Sequence, residues 1–212
     1  MGQRIVISLL MLVIFSLVSL AGTNLAQANM IDLYSFDFGS KTSPVQNGWL
    51  QVTNTILYSP QLGYGWDRSL TATSRNGANP PAYPDMLRDF NQSSADRTFE
   101  IDLAAGTYSI ELYFYDNSAH SNRWTVYLGN SSTVLAMVTS LQKNTEVTRQ
   151  FDITMASAGQ LDLRFNKAGI GNWQINGIKV AQEAPLPPTL LLLGTGLLGL
   201  TLLSRGRKAQ ES

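Results

Sequence analysis

The sequence predicts an all-β fold, an antiparallel jelly-roll β-sandwich flanked by an N-terminal signal helix and a single C-terminal membrane helix. Hydrophobic residues in the middle of the chain recur with period two, as half-buried strands require. No middle stretch sustains the 3.6-residue period of an amphipathic helix. Turn residues then separate the alternating segments at hairpin-like spacing, which favours antiparallel strands over a parallel α/β sheet.

Four strands are plain from alternation. Phe99, Ile101 and Leu103 alternate with Glu100 and Asp102. From Tyr108 to Tyr115 every even position is apolar or aromatic up to Phe114, leaving Tyr113 and Tyr115 on the opposite face. Trp124, Val126 and Leu128 alternate with Thr125 and Tyr127, and Leu161, Leu163 and Phe165 with Asp162 and Arg164. Further strands are read at Ile31 to Phe38, Trp49 to Val52, Val134 to Val138, Val147 to Ile153 and Trp173 to Val180, with turns at Ala105-Gly106, Gly129-Asn130, Ala158-Gly159 and Gly169 to Asn172. The region Ser40 to Met86 is rich in Gly, Pro, Asn, Ser and Tyr and reads as long loops over one end or face of the sandwich, where binding groups tend to sit.

Both ends differ from this middle. Arg4 precedes an apolar run from Ile5 to Leu20, and the small residues Ala26 and Ala28 mark a cut before Asn29, so residues 1–28 read as a signal peptide; an uncleaved anchor is the alternative. The domain follows at 29–181. In the tail, 182–212, Pro185, Leu186, Pro187 and Pro188 break regular structure, Thr189 to Leu203 can form an apolar helix, and Arg205, Arg207 and Lys208 close the chain. That helix rises about 22 Å at ~1.5 Å per residue, against a hydrocarbon core of ~30 Å. Basic residues after it would keep that end cytoplasmic. Gly194, Gly196 and Gly199 make it a poor permanent anchor.

This three-part tail resembles the PEP-CTERM sorting signals of Gram-negative bacteria. The resemblance implies transient anchoring in the inner membrane, processing by an exosortase after signal peptidase, and release to the cell surface or an extracellular polysaccharide matrix, as in biofilms. The chain departs from the family where Leu186 replaces the central Glu of the Pro-Glu-Pro motif. A plain C-terminal membrane helix is the alternative reading.

The chain carries 15 basic and 15 acidic residues, and the stretch 29–184 keeps 11 against 14, a net charge of −3. A nucleic-acid partner, whose phosphates call for a basic surplus, is therefore not expected. His120 is the only histidine and cysteine is absent, which excludes Cys/His catalysis and a His-rich zinc centre. A Gly-x-Ser-x-Gly elbow and a phosphate-binding loop are also missing. A glycosidase pair of carboxylates stays open, but Glu100, Asp102, Glu111 and Asp162 read more simply as solvated sheet-face residues.

The order of segments carries a second resemblance. Phe36-Asp37-Phe38-Gly39, Ser43-Pro44-Val45, Gly48, Tyr58-Ser59, Gly63-Tyr64-Gly65-Trp66, Asp85 to Phe90, the Phe99 to Tyr108 stretch and Ile175 to Val180 together resemble malectin-like, galactose-binding-like modules over about residues 31–180. The same opening occurs in some rhamnogalacturonan acetylesterases. The resemblance implies a two-sheet jelly roll that holds a sugar. It also suggests a structural calcium, for which Asp32, Asp37 and Asp152 are conceivable ligands; no catalytic residue, no metal residue and no cofactor is assigned.

Pyranose rings offer apolar C–H faces to aromatics and hydroxyl edges to planar polar groups. Tyr64, Trp66 and Tyr83, with Arg88, Asp89, His120 and Asn122, are the expected sugar-binding set. Each has a bland reading: Tyr64 and Trp66 as plugs of the sandwich, Arg88 and Asp89 as a loop-fixing ion pair. Tyr113, Tyr115 and Tyr127 read as buried beneath the Ser40–Met86 loop or as an exposed platform, Trp124 and Trp173 as core, and Trp49 as either. The expected function is non-catalytic polysaccharide binding; a purely structural matrix protein and a small polysaccharide-active enzyme are the alternatives.

Overall fold

The computed structural model describes residues 30–74, 83–118, 123–169 and 171–184. The signal segment with Ala26 and Ala28, the sorting motif 185–188, the apolar helix, the basic end, His120 and Asn122 lie outside the described residues.

Among the described residues the strands are β1 Met30–Gly39, β2 Leu50–Thr53, β3 Tyr64–Trp66, β4 Thr71–Ser74, β5 Asp89–Ser93, β6 Arg97–Leu103 and β7 Gly106–Phe114. They continue as β8 Trp124–Leu128, β9 Val134–Val138, β10 Val147–Met155, β11 Gly159–Lys167, β12 Trp173–Ile175 and β13 Gly177–Glu183. One 3₁₀ turn, Met86–Arg88, interrupts them. One five-stranded sheet has the order β10-β7-β13-β1-β2, the other β3-β6-β11-β8-β9, and β12-β5-β4 form a small third sheet.

The predicted alternation places the core. Phe36 and Phe38 of β1, Ile110, Leu112 and Phe114 of β7, and Ile178 and Val180 of β13 meet Phe99 and Ile101 of β6, Leu161, Leu163 and Phe165 of β11, and Trp124 and Val126 of β8. Burial along β6 alternates residue by residue, the signature of one face turned inward. Trp124 and Trp173 are core residues, as their phase implies.

Alternation does not mark β5 as a strand, and three further features differ from the sequence reading. The Ser40–Met86 region, expected as loops, also contributes β3 and β4; β3 is only three residues long, with Gly63 before it and Gly65 at its centre, too short to show alternation. Gly65 has φ +148°, and a Cβ there would stand 2.3 Å from the Tyr58 backbone nitrogen, so the bend admits glycine alone. Not every pair is antiparallel, because the chain recrosses through 40–49 and lays β2 parallel to β1. The single strand expected over Trp173 to Val180 breaks at Asn176, whose side chain turns into the interior. Its Oδ1 accepts from Tyr115 N at 2.7 Å, while Nδ2 donates to Asp89 O at 2.8 Å and Leu87 O at 3.3 Å. One buried amide thereby joins the end of β7 to the 3₁₀ turn and β5.

Candidate functional site

Trp66 is not a surface residue. It is 0% exposed, and its ring lies 5.0 to 5.7 Å from those of Phe38, Phe99, Phe165 and Trp173. The expectation that it stacks on a sugar is corrected: β3 pairs with β6 and turns the indole between the sheets. Tyr64 is half-buried against Phe36 at 4.8 Å and Tyr34 at 6.4 Å, on the inner side of the first sheet. Asp89 is also corrected, being 0% exposed, with neither carboxylate oxygen in a well-formed hydrogen bond. Burial raises its pKa, against the opposing pull of the Ser74 and Ser43 hydroxyls and Arg88. Arg88 is half-buried at the end of the 3₁₀ turn.

Tyr83 is the member of the set that meets a second aromatic at the surface. It lies on the outer face of the first sheet, the face turned away from the core. Strand register puts Tyr113, Gly177, Asp37 and Gln51 in one row across β7, β13, β1 and β2, with Glu111, Lys179 and Ser35 in the next parallel row. The rings of Trp49 and Tyr83 stand 5.3 Å apart, and both contact Tyr113 edge-on, at 5.8 and 5.5 Å. Tyr113 and Tyr115 are buried beneath this cover, one of the two readings the sequence left open. Trp49 and Tyr83 stay half-buried and keep an outward edge.

Backbone chemistry explains the perch. Gly177 leaves the floor bare: a Cβ there would stand 2.9 Å from the Trp49 ring and 2.7 Å from Met86 Sδ. Tyr83 has φ +43°, a left-handed conformation that costs a non-glycine residue about 1–3 kcal/mol and recurs at functional sites. Polar groups flank the rings. Burial, reinforced by donation of the Tyr113 hydroxyl to Glu111 Oε2, drives the phenol pKa far up. Lys179 Nζ lies 3.0 Å from Asp32 Oδ2, and that partner raises the ammonium pKa. Sequence reasoning missed Glu111 and Lys179 as neighbours of the aromatic pair, because cross-strand register is not written in either strand alone.

Under the 40–49 segment lies Asp37, 2% exposed, whose Oδ2 accepts from Gln46 N at 2.6 Å. Burial raises its pKa to about 7, opposed by the Gln46 N–H and reinforced by Asp89 and Asp85. A carboxyl that binds its proton more tightly when folded stabilises the fold fully below about pH 4, and that stabilisation is lost as the pH rises through about 7. We expect Asp37→Asn to flatten this decline, so that urea midpoints of variant and wild type agree near pH 4 and the variant is the more stable near pH 8. Asp89, Asp162 and Glu100 shift in the same direction and leave a residual slope.

The three conceivable calcium ligands do not converge. Asp32 and Asp152 lie on one row separated by Ser109 and Ala181, three strand spacings or about 14 Å apart, and Asp37 is buried elsewhere. Among the described residues no group of three or more His, Cys, Asp or Glu could hold a metal ion. On the outer face of the second sheet Glu100 and Asp162 oppose each other across β6 and β11, half-buried rather than freely solvated, with both pKa values raised by burial.

Residues 34–172 match the family model described as beta-agarase/YXIM esterase-like, galactose-binding domain-like. Beta-agarase A of Zobellia galactanivorans is 30% identical over 161 residues, 74% of this chain and 28% of the agarase. The chain therefore spans about 28% of the length of that curated relative. The crystal structure of protein YXIM of Bacillus subtilis superposes with a TM-score of 0.53 at 22% identity, covering 71% of this chain and 40% of that one. The ANX2 ectodomain of Arabidopsis thaliana superposes at 0.55 with 13% identity, over 75% of this chain and 52% of that one. These two structures share the fold.

Proposed function

We propose that this chain, which belongs to the beta-agarase/YXIM esterase-like, galactose-binding domain-like family, is an exported, non-catalytic module that holds polysaccharide on the outer face of its first sheet. The carrying observation is the half-buried Trp49–Tyr83 pair, fixed on the bare floor of Gly177 with Glu111 and the Asp32-paired Lys179 in the next row. Aromatic faces beside planar and charged hydrogen-bonding groups fit a pyranose chain lying across a surface. Family membership and a relative that is a beta-agarase support a carbohydrate ligand.

Calorimetric titration of the full chain with agarose and other soluble polysaccharides tests this. Wild type gives saturable binding, and Trp49→Ala or Tyr83→Ala each weakens it roughly tenfold, ~1.4 kcal/mol, with the fold intact. Equal affinity in wild type and both variants, or no binding to any polysaccharide, overturns the assignment. Export completes the proposal. Residues 1–28 direct secretion, and the tail is processed by an exosortase near Pro185 to Pro188, leaving the domain at the surface or in the matrix. N-terminal sequencing of the mature chain reads Asn29 first if the leader is cut as proposed.

A further inference from the structure

Trp49 does not hold its place through its ring contacts alone. Its backbone N–H donates to Gln46 O at 2.9 Å, and Gln46 N donates in turn to Asp37 Oδ2 at 2.6 Å. The Gln46 side-chain Oε1 also accepts from Asp85 N at 3.4 Å, two residues beyond Tyr83. Both rings of the aromatic pair are thus tied to one segment, and that segment to one carboxyl group.

We propose that Asp37 is the positioning residue of the aromatic pair, setting through Gln46 where Trp49 stands against Tyr83. The proposal rests on the reading that this pair holds sugar. Asp37 touches no ligand in this account, since it lies under the 40–49 segment in the row of Gln51, Gly177 and Tyr113. The titratable and charged groups acting on it are the carboxyls of Asp89 on β5 and Asp85 at the start of the 3₁₀ turn, both of which disfavour its ionised form; Arg88 lies against Asp89. Lifting the 40–49 segment would let water reach the carboxyl and restore an ordinary carboxylate. Ionisation therefore favours the lifted arrangement, and the seat of Trp49 loosens as the pH rises through neutrality.

Of the four tryptophans in the chain, Trp66, Trp124 and Trp173 are 0% exposed, so acrylamide quenching of the native full chain reports Trp49. In wild type the quenching constant rises severalfold from about pH 5.5 to about pH 8.5, across the Asp37 transition, while far-UV circular dichroism is unchanged. Asp37→Asn, which keeps an acceptor for Gln46 N–H without charge, stays at the low value throughout; Asp37→Ala, which removes the acceptor, quenches strongly at every pH. Affinity for polysaccharide follows in mirror image, roughly tenfold weaker in Asp37→Ala and restored in Asp37→Asn. Quenching that is flat with pH in wild type, or that changes identically in Asp37→Asn, overturns the proposal, and this comparison decides even where Asp37→Ala does not fold. If quenching behaves as expected while no polysaccharide binds at any pH, the positioning role stands and the sugar reading is what fails.

Discussion

Trp66→Ala strongly destabilises the domain rather than silencing a binding site. The indole is fully buried and surrounded by Phe38, Phe99, Phe165 and Trp173, which come from both five-stranded sheets and from β12. Truncating it removes a large apolar surface and leaves a cavity that four aromatic neighbours, already in contact with one another and with the sheets, cannot close. Large-to-small changes of this kind cost about 3–5 kcal/mol, a large share of the stability of a domain whose total is of order 5–15 kcal/mol. Equilibrium urea unfolding of the full chain should show the extrapolated stability falling by that margin, with the midpoint lowered accordingly and near-UV circular dichroism reduced towards the denatured level. A variant with wild-type stability and lost glycan affinity would reverse the placement of Trp66. Loss of binding by this variant is therefore no evidence of a sugar contact.

The second large effect is expected at Asn176. Its side chain satisfies three backbone groups in the interior, Tyr115 N–H and the carbonyls of Asp89 and Leu87. Asn176→Ala orphans all three. At about 1–3 kcal/mol for a buried group left unsatisfied, and with partial relaxation, the loss is about 3–5 kcal/mol. Asn176→Asp discriminates further, since it keeps an acceptor for Tyr115 N–H but sets a carboxylate against two carbonyl oxygens. It should be as destabilising as alanine near pH 7 and less so near pH 4, where the acid can donate. Hydrogen exchange is expected to show the Met86–Arg88 turn and β5 losing protection first, because those are the elements the amide ties down. Uniform loss across both sheets would mean that Asn176 supports the core as a whole.

Much of this architecture is legible in the sequence because alternation is a local property. Phe99 to Leu103 and Leu161 to Phe165 display their inward phase within a few residues, and the paired strands β6 and β11 follow that phase exactly as burial requires. Gly65 marks a special backbone site, but only the approach of Tyr58 N shows that the segment serves the core. The proposed binding surface is harder to read for a related reason. Tyr83 was recognisable as an aromatic in a glycine- and proline-rich region; its partner Trp49 lies far away in sequence, and the two meet because Gly177, from the last strand, leaves room for the indole. Neither Lys179 nor Glu111 carries a local motif. They become neighbours through the pairing of β13 with β7, a long-range fact that no window of sequence contains. Trp66 was misassigned because a three-residue strand offers no periodicity with which to tell a buried aromatic from an exposed one.

Met30 pairs with Glu183, so the first residue of the first strand and the last residue of the last strand are backbone neighbours at one end of the β1–β13 ladder. Tension drawn between those two residues therefore acts across the rungs, breaking them singly from the Met30–Glu183 end, rather than loading the whole ladder in shear. Such a peeling geometry yields at low force. The row holding Tyr113, Gly177 and Asp37 lies at the opposite end of the same ladder, about 23 Å away at ~3.3 Å per residue. Under such a pull the Asp37–Gly177 rung, on which Trp49 and Tyr83 are seated, would be the last part of this pair of strands to feel the tear.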